Sequence, residues 1–226
     1  MKVIIKYKKV NRLKYISHLD TIRLLQRALR RAEIKVIYSE GYNPHPKFSF
    51  AMPLSLGIET YGDYIEIEVD DSEEYQSIKD RLNQVLPKDF EVVIVEKSNY
   101  DKTLSARLKN VIYTIDIKNE IDDTSKVANI IENFFKEEQI VERIKKKKRK
   151  KKVKKFDSRK FIEKIEIIKK DNNRIKLKIY GIFSNEGTVK MEELVEVLKK
   201  LTLDIKNYKI IREDMIFEEW DNIIII

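Results

Sequence analysis

The side chains best suited to binding or reaction lie in one short segment, residues 38–57, which reads YSEGYNPHPKFSFAMPLSLG. The segment holds three of the four prolines and two of the five glycines, in a sequence otherwise rich in Lys, Ile, Glu and Asn. A prolyl ring fixes φ and pushes the preceding residue toward extended backbone. The pattern therefore predicts a stiff stretch at Asn43–Pro46, from which His45 and Lys47 project in fixed directions.

Histidine has an ordinary pKa near neutrality, so the two histidines, His18 and His45, are the candidates for a general acid or base. His18 stands at a predicted helix N-terminus, where the helix dipole disfavours the imidazolium. The structural alternatives are that His18 fixes the helix entry and that His45 belongs to a surface turn. Their spacing with Asp20 or Glu40 matches no metal motif, and no glycine-rich phosphate loop is present, so we expect neither metal nor cofactor.

The same segment has the composition of a surface that binds single-stranded RNA or a partner protein. Tyr42 and Phe48 could stack on bases while Lys47 meets a phosphate. Packing against a strand edge is the alternative for both aromatic rings. The candidate contact residues here are Tyr42, Asn43, His45 and Lys47.

Positive charge is concentrated in a second segment, Lys145–Lys155, which reads KKKKRKKKVKK. The formal net charge is +9, and without the ten basic residues of this run the remaining chain has a net charge of −1. Such a run attracts RNA, DNA or an anionic membrane surface, and the alternative is a solvated hairpin. The candidate contacts are Lys146, Lys148, Arg149 and Lys151.

A third basic feature belongs to a helix predicted to begin after Ser17, its N-cap, with Asp20 at the third helical position. The apolar stripe of this helix consists of Ile22, Leu25, Leu29 and Ala32. Arg23, Arg27 and Arg30 fall in a narrow band on the opposite face, with Arg31 beside them, because successive helical residues are about 100° apart. We interpret the band as a polyanion-binding surface; an ordinary solvated helix face is the alternative.

The elements that position these residues follow the order β-α-β-β-α-β over residues 1–97, with Ser72 as the predicted cap of the second helix. This order predicts a ferredoxin-like domain, an antiparallel sheet covered on one face by two helices. A polar linker at 98–109 leads to a second domain, 110–226, whose elements repeat the order and include a strand at 140–155. The expected fold is α+β, with two tandem ferredoxin-like domains.

Several protein classes are excluded by composition. The sequence has no cysteine, so this chain forms no disulfide and holds no Cys-ligated cluster. It has no apolar run of membrane-spanning length, and the apolar stretch near Met1 is too short for a secretory signal. We expect a cytoplasmic protein.

Ser17–Asp20 and residues 38–57 resemble the radical SAM-linked, or radical SAM-associated, protein family (DUF2344), a bacterial family of uncharacterised function. Asp157–Arg159 and Gly187–Leu194 are similar to landmarks of its second half, so the resemblance covers nearly the whole chain. Members occur alone or fused to a cobalamin-binding radical SAM protein, and the resemblance therefore implies such an enzyme as partner. It implies no catalytic residues, and the lysine run is longer than the family pattern.

Three functions follow as hypotheses. The first is a non-catalytic accessory protein that binds tRNA or rRNA for a radical SAM enzyme in RNA modification or processing. The second is a metal-independent endoribonuclease with His18 or His45 as base, suggested by a looser likeness to the tandem ferredoxin-like enzymes that process CRISPR repeats. The expected C-terminal glycine-rich loop of those enzymes is not evident. The third is a docking module for the radical SAM enzyme, in which the lysine run is incidental.

Overall fold

The structure is a computed structural model, and it describes residues 1–118, 125–147, 150–171, 174–201, 203, 205 and 207–218. These residues form a mixed α+β fold in which the strands pair mostly antiparallel. The described strands are β1 (Lys2–Lys9), β2 (Phe48–Phe50), β3 (Glu59–Glu68), β4 (Phe90–Lys97), β5 (Leu108–Lys118), β6 (Ile140–Lys147), β7 (Lys150–Asp157), β8 (Ile162–Asp171), β9 (Arg174–Ile182) and β10 (Asn207–Phe217). The described helices are α1 (His18–Arg31), α2 (Tyr75–Val85), α3 (Leu104–Arg107), α4 (Ser125–Lys136) and α5 (Met191–Lys200).

The chain packs as two compact units. Unit 1 comprises Met1–Lys109 and the described residues from Ile211 onward, and unit 2 comprises Asn110–Ile210. The sequence assigns the last strand to the second domain, whereas the second half of β10 packs in unit 1. The reason is a parallel pairing of β10 with β3, in which Ile211 is opposite Glu59.

Unit 1 has the strand order of a ferredoxin-like sheet. Strand β1 pairs antiparallel with both β3 and β4, and β2 pairs antiparallel with β3. Because side chains alternate across a strand, Val3, Ile5 and Tyr7 all point to one face, where α1 and α2 cover them. Leu25 and Leu29 of α1 and Leu82 of α2 are buried in this core, among other apolar side chains.

The two helices of this unit begin differently. The predicted N-cap of α1 is confirmed, since the Ser17 hydroxyl accepts a hydrogen bond of 3.1 Å from the Asp20 backbone amide. The predicted cap of α2 is wrong: that helix begins at Tyr75, with Glu74 at the N-cap position. The Ser72 hydroxyl donates instead to Asp70, at 2.6 Å, and so forms a local turn.

Unit 2 contains an antiparallel arrangement in the order β8-β9-β5, and the first residues of β10 follow β5 in this order. The helices α4 and α5 belong to the same unit. Strands β6 and β7 form a separate two-stranded hairpin with Ile140 opposite Asp157.

The prediction of one strand over residues 140–155 is therefore wrong. A strand of 16 residues would extend about 53 Å, far beyond the usual length of strands in globular domains. Here the chain reverses within the lysine run, and both halves of the hairpin remain of ordinary length. None of the helices in the described part of the chain is long and apolar enough to cross a membrane.

Candidate functional site

The arginine-bearing face of α1 forms one side of an open groove with a volume of about 760 Å³. The groove lies within unit 1, between α1 and the C-terminal end of α2. Its lining residues are Ile16, Asp20, Arg23, Leu24, Arg27, Arg30, Arg31, Val85, Leu86 and Pro87. We call it the arginine groove. All three arginines predicted on this face line it, and Arg31 joins them.

The four arginines differ in what they already contact. Arg23 forms an ion pair with Asp20 at 3.0 Å, and the Arg31 guanidinium donates a 2.6 Å hydrogen bond to the Val85 carbonyl. Arg27 and Arg30 are exposed, and neither guanidinium has a hydrogen bond or ion pair with another described residue. The guanidiniums without a described partner therefore lie between the ion-paired Arg23 and the hydrogen-bonded Arg31.

Asp20 neutralises one end of the groove. Its carboxylate accepts hydrogen bonds from the Ser17 hydroxyl and from Arg23, which lower its pKa in that order of importance. The carboxylate therefore stays ionised at neutral pH, and Arg23 is largely occupied with it.

The remaining lining of the groove is apolar. Helix α2 ends at Val85, Leu86 adopts extended backbone, and Pro87 follows, which prevents the helix from continuing. Leu86 is buried, Leu24 and Val85 are half-buried, and Pro87 is exposed. We call Leu24 and residues 85–87 the apolar floor.

The predicted stiff segment forms a closed loop over residues 38–46. Its ends meet in an antiparallel bridge between Tyr38 and Pro46, and the Ser39 amide donates to the His45 carbonyl at 2.9 Å. The Ser39 hydroxyl accepts from the His45 amide at 3.1 Å and lies 3.2 Å from Nδ1 of the same imidazole. The carbonyl of Asn43 is also 3.2 Å from this Nδ1, so His45 is engaged in closing the loop.

Tyr42 and Lys47 have different surroundings in this segment. Tyr42 is fully exposed near the tip of the loop, beside Gly41, whose φ of +119° is one that residues with a side chain rarely adopt. Lys47 forms an ion pair of 3.1 Å with Glu68 of β3. The exposed Tyr42 ring is therefore available for stacking, whereas the ammonium of Lys47 is already paired with the Glu68 carboxylate.

The second part of the segment packs against the body of unit 1. Phe48 and Phe50 are half-buried in β2 and pack against the core, as expected for a strand edge. The Phe50 ring meets the His18 ring edge-on, with centroids 4.7 Å apart. Beyond β2, Arg212 donates hydrogen bonds to the carbonyls of Met52 and Pro53, at 3.3 and 3.0 Å.

His18 is half-buried beside this segment. Burial lowers its pKa, the nearby Asp63 carboxylate opposes this shift, and Lys9 adds to it. The imidazole is therefore neutral at pH 7. Burial likewise lowers the pKa of Lys9, whose ammonium lies 3.4 Å from the Thr21 hydroxyl. No group of three possible metal ligands occurs in the described residues.

A buried cluster of charges under this region was not predicted from the sequence. Asp63 accepts a 2.7 Å hydrogen bond from Arg212 and a 3.2 Å hydrogen bond from the Tyr7 hydroxyl. Burial, and secondly the Asp63 charge, raise the pKa of Tyr7 well above its ordinary value. One sequence feature points to this cluster: Gly62 precedes Asp63 within an otherwise strand-like run. Glycine in a strand often marks the close approach of another backbone.

In unit 2, the base of the β6–β7 hairpin is anchored by Arg143. Its guanidinium forms two hydrogen bonds with the Glu193 carboxylate, at 2.8 and 2.6 Å, and a third with the Thr188 carbonyl. Glu193 and Thr188 both belong to the second-half landmark 187–194. The landmark thus holds the hairpin that carries the lysine run.

The second landmark of this half is also structural. The Asp157 carboxylate accepts from the amides of Gln139 and Arg159, at 3.0 Å each. Arg159 in turn donates to the Phe135 carbonyl near the end of α4. These contacts join the end of the hairpin to the preceding helix.

The predicted contacts of the lysine run are only partly described. Lys146 and Lys151 occupy directly opposite positions of the hairpin. Lys148 and Arg149 lie outside the described residues.

The fold and these sites define a cysteine-free α+β protein with a basic groove and a basic hairpin. Residues 2–195 match a family described as an uncharacterized protein conserved in bacteria, DUF2344, and the chain belongs to this family. That part of the sequence-based resemblance is confirmed, and the association with radical SAM enzymes stays a prediction. No curated protein matches the sequence.

Two solved structures share the fold. One is described as the crystal structure of a Cbf5-Nop10-Gar1 complex: identity is 8%, the TM-score is 0.53, and the match covers 94% of this chain and 48% of that one. The other is described as the structure of an H/ACA RNP bound to a substrate RNA containing 2'-deoxyuridine, with 9% identity, a TM-score of 0.51, and coverage of 93% and 46%. This chain therefore spans about half the length of each of these two chains.

Proposed function

We propose that this protein is a non-catalytic, RNA-binding accessory protein of two tandem ferredoxin-like halves, which acts in the cytoplasm with a cobalamin-dependent radical SAM enzyme in RNA modification or processing. The observation that carries RNA binding is the pair Arg27 and Arg30, exposed in the arginine groove, whose guanidiniums have no hydrogen bond or ion pair with another described residue. Guanidinium groups bind phosphate with two parallel hydrogen bonds, and in proteins they keep their charge at every physiological pH.

The β6–β7 hairpin supports the same function. Its register places Lys145 opposite Lys152, Lys146 opposite Lys151 and Lys147 opposite Lys150. A hairpin of this composition attracts polyanions. The ion pair of Arg143 with Glu193 holds the base of the hairpin in place.

The fold likeness to a chain of an RNA-bound H/ACA RNP gives weaker support, because a shared fold does not establish a shared function. The radical SAM partner rests on the family resemblance and on the absence of cysteine, since this chain must rely on another protein for an iron–sulfur cluster. The endoribonuclease alternative has less support, because the His45 Nδ1 lies 3.2 Å from the Ser39 hydroxyl within a closed loop and the His18 ring packs on Phe50.

RNA binding is tested by titrating the protein with a tRNA at several salt concentrations. The variants are Arg27→Ala/Arg30→Ala and a full-length chain with the described lysines of residues 145–152 changed to Gln. The control, Arg12→Ala/Lys102→Ala, removes two exposed charges of unit 1 outside the groove. We expect the groove variant to lower the slope of log affinity against log salt by about 1.4 to 1.8, for two lost phosphate contacts. Equal affinity for wild type and both variants would refute the RNA role.

The two alternative functions have their own tests. Incubation of labelled RNA with the protein and a chelator should yield no cleavage; cleavage that is lost in His18→Ala or His45→Ala would instead establish an endoribonuclease. Capture of the radical SAM enzyme after nuclease treatment, unchanged by loss of the lysines, would favour the docking module over RNA binding.

A further inference from the structure

We infer that the arginine groove takes one single strand of RNA, with two phosphates on Arg27 and Arg30 and the intervening sugar and base against the apolar floor, and that it does not take the backbone of a duplex. This inference rests on the proposed RNA-binding function and specifies which form of RNA the groove selects. It depends on the groove combining a short positive centre with an apolar surface.

The positive centre is short. Arg27 and Arg30 are three residues apart on α1, which corresponds to a rise of about 4.5 Å, and the whole ridge from Arg23 to Arg31 covers about 12 Å. Each strand of a duplex presents one phosphate per ~3.4 Å of axis, so a duplex backbone offers the ridge three to four phosphates at most. Arg27 and Arg30 offer it two guanidiniums without a described partner, and Arg31 offers the N–H groups that its hydrogen bond to Val85 leaves free. So few phosphate contacts give limited affinity from phosphates alone.

The ends of the ridge differ from its centre. Asp20 pairs with Arg23 at one end, and at the other the Arg31 guanidinium keeps its charge but donates one hydrogen bond to the Val85 carbonyl, which restricts its orientation. A long polyanion lying along the whole ridge would bring a phosphate close to the Asp20 carboxylate, which is unfavourable. The favourable arrangement places two anionic groups at the centre and an uncharged portion elsewhere in the groove.

The apolar floor suits that uncharged portion. Leu24 and Val85 are half-buried and Pro87 is exposed, so each still has surface to remove from water. Bases of a single strand can turn out and cover such a surface, whereas a duplex keeps its base faces stacked inside and presents sugars and phosphates on a convex surface. A duplex would therefore leave the apolar floor exposed to water.

The same lining predicts weak base preference. Among the described residues that line the groove, none is aromatic, and the polar side chains are all charged. Discrimination between bases needs hydrogen-bond partners for base edges or shaped stacking pockets. The groove therefore selects for strandedness and not for sequence.

The test uses the full-length chain with the described lysines of residues 145–152 changed to Gln, so that the groove dominates binding. Fluorescence anisotropy compares a 12-nucleotide RNA with the same RNA in a duplex. We expect the single strand to bind at least about tenfold more tightly. Added Arg27→Ala/Arg30→Ala should weaken the single strand by about tenfold or more and the duplex by less than about threefold.

Floor variants separate the apolar contribution from charge. Leu24→Gln is expected to weaken binding of the single strand about threefold or more and to leave duplex binding unchanged. If Leu24→Gln lowers the melting temperature, the uncharged change Pro87→Gln at an exposed position replaces it, with the same expectation. Arg12→Ala/Lys102→Ala serves as the charge-matched control and should change neither.

The outcomes distinguish this inference from the proposed function. If the duplex binds as tightly as the single strand and both depend on Arg27 and Arg30, RNA binding stands and single-strand selection is overturned. If poly-glutamate displaces the single strand at equal charge concentration, the groove recognises acidic chains in general and the inference is overturned as well. If neither RNA responds to the arginine substitutions, the groove role in the proposed function is refuted.

Discussion

The buried pair of Arg212 and Asp63 gives the sharpest stability prediction. Arg212 is 1% exposed, and the Asp63 side chain is 4% exposed. The guanidinium donates to the Asp63 carboxylate at 2.7 Å and to the carbonyls of Met52 and Pro53. Arg212→Met keeps most of the apolar stem of the side chain and removes these hydrogen bonds. The Asp63 carboxylate then stays buried, and the Tyr7 hydroxyl is its remaining described hydrogen-bond donor.

Removing one partner of a buried ion pair typically costs about 3–5 kcal/mol, because the other charge remains out of water. Three lost hydrogen bonds to or from charged groups, each contributing roughly 1–2 kcal/mol, lead to the same range. We expect the free energy of unfolding to fall by about 4 kcal/mol. With a urea m-value near 2 kcal/mol/M, the midpoint of urea unfolding should fall by about 2 M.

The matched control is Lys8→Met, which breaks the ion pair of Lys8 with Glu91 on the surface of the same unit. Exposed pairs contribute about 0–1 kcal/mol, so its midpoint should move by less than about 0.5 M. The double variant Arg212→Met/Asp63→Asn should recover part of the loss, because no unpaired buried charge remains. A midpoint for Arg212→Met within about 0.5 M of wild type would refute the reasoning.

Three further outcomes are expected. Gly62→Ala should lower stability by about 1–3 kcal/mol in urea unfolding, since a Cβ there would lie 2.6 Å from the Glu213 carbonyl oxygen; an unchanged midpoint would show that β10 moves freely. Arg143→Gln should release the base of the β6–β7 hairpin from Glu193, and limited trypsin digestion should then cut the lysine run faster than in wild type; equal rates would contradict the anchoring role. NMR titration should place the pKa of His18 below 6.5. Burial favours the neutral His18 ring in the folded state. The stability that this preference contributes is present above the pKa of the unfolded state and is lost as the pH falls from that pKa toward the lower pKa of the folded state. His18→Phe should therefore reduce the loss of stability below pH 6.5.

Local sequence signals predicted part of the site. The Ser17 cap, the apolar stripe of α1 and the arginines opposite it follow from helical spacing, and the structure has each of them. The prolines predicted a stiff stretch at Asn43–Pro46, and the structure shows in addition that residues 38–46 form a loop closed by the Tyr38–Pro46 bridge. The functions assigned to these residues remain proposals.

Long-range contacts could not be predicted in the same way. Nothing near Val85 or Pro87 indicates that the end of α2 lies beside the arginines, because α1 and α2 are far apart in sequence. Likewise Arg212 and Asp63 are 149 residues apart, and no local pattern pairs them. A hairpin was the alternative for the lysine run, but the strand predicted over residues 140–155 left the reversal out, because lysine carries no turn signal of its own.

The sequence by itself determined where charge and stiffness lie: the α1 arginines, the proline-rich loop and the lysine run. It did so because caps, helical periodicity and prolyl geometry are local properties of the chain. Only the tertiary structure decided which of these exposed groups already have a partner. Hydrogen bonds or ion pairs engage His45, Lys47, Arg23 and Arg31, whereas the guanidiniums of Arg27 and Arg30 have none among the described residues and Tyr42 is fully exposed. Availability depends on contacts between distant segments, and such contacts form only when the core brings those segments together.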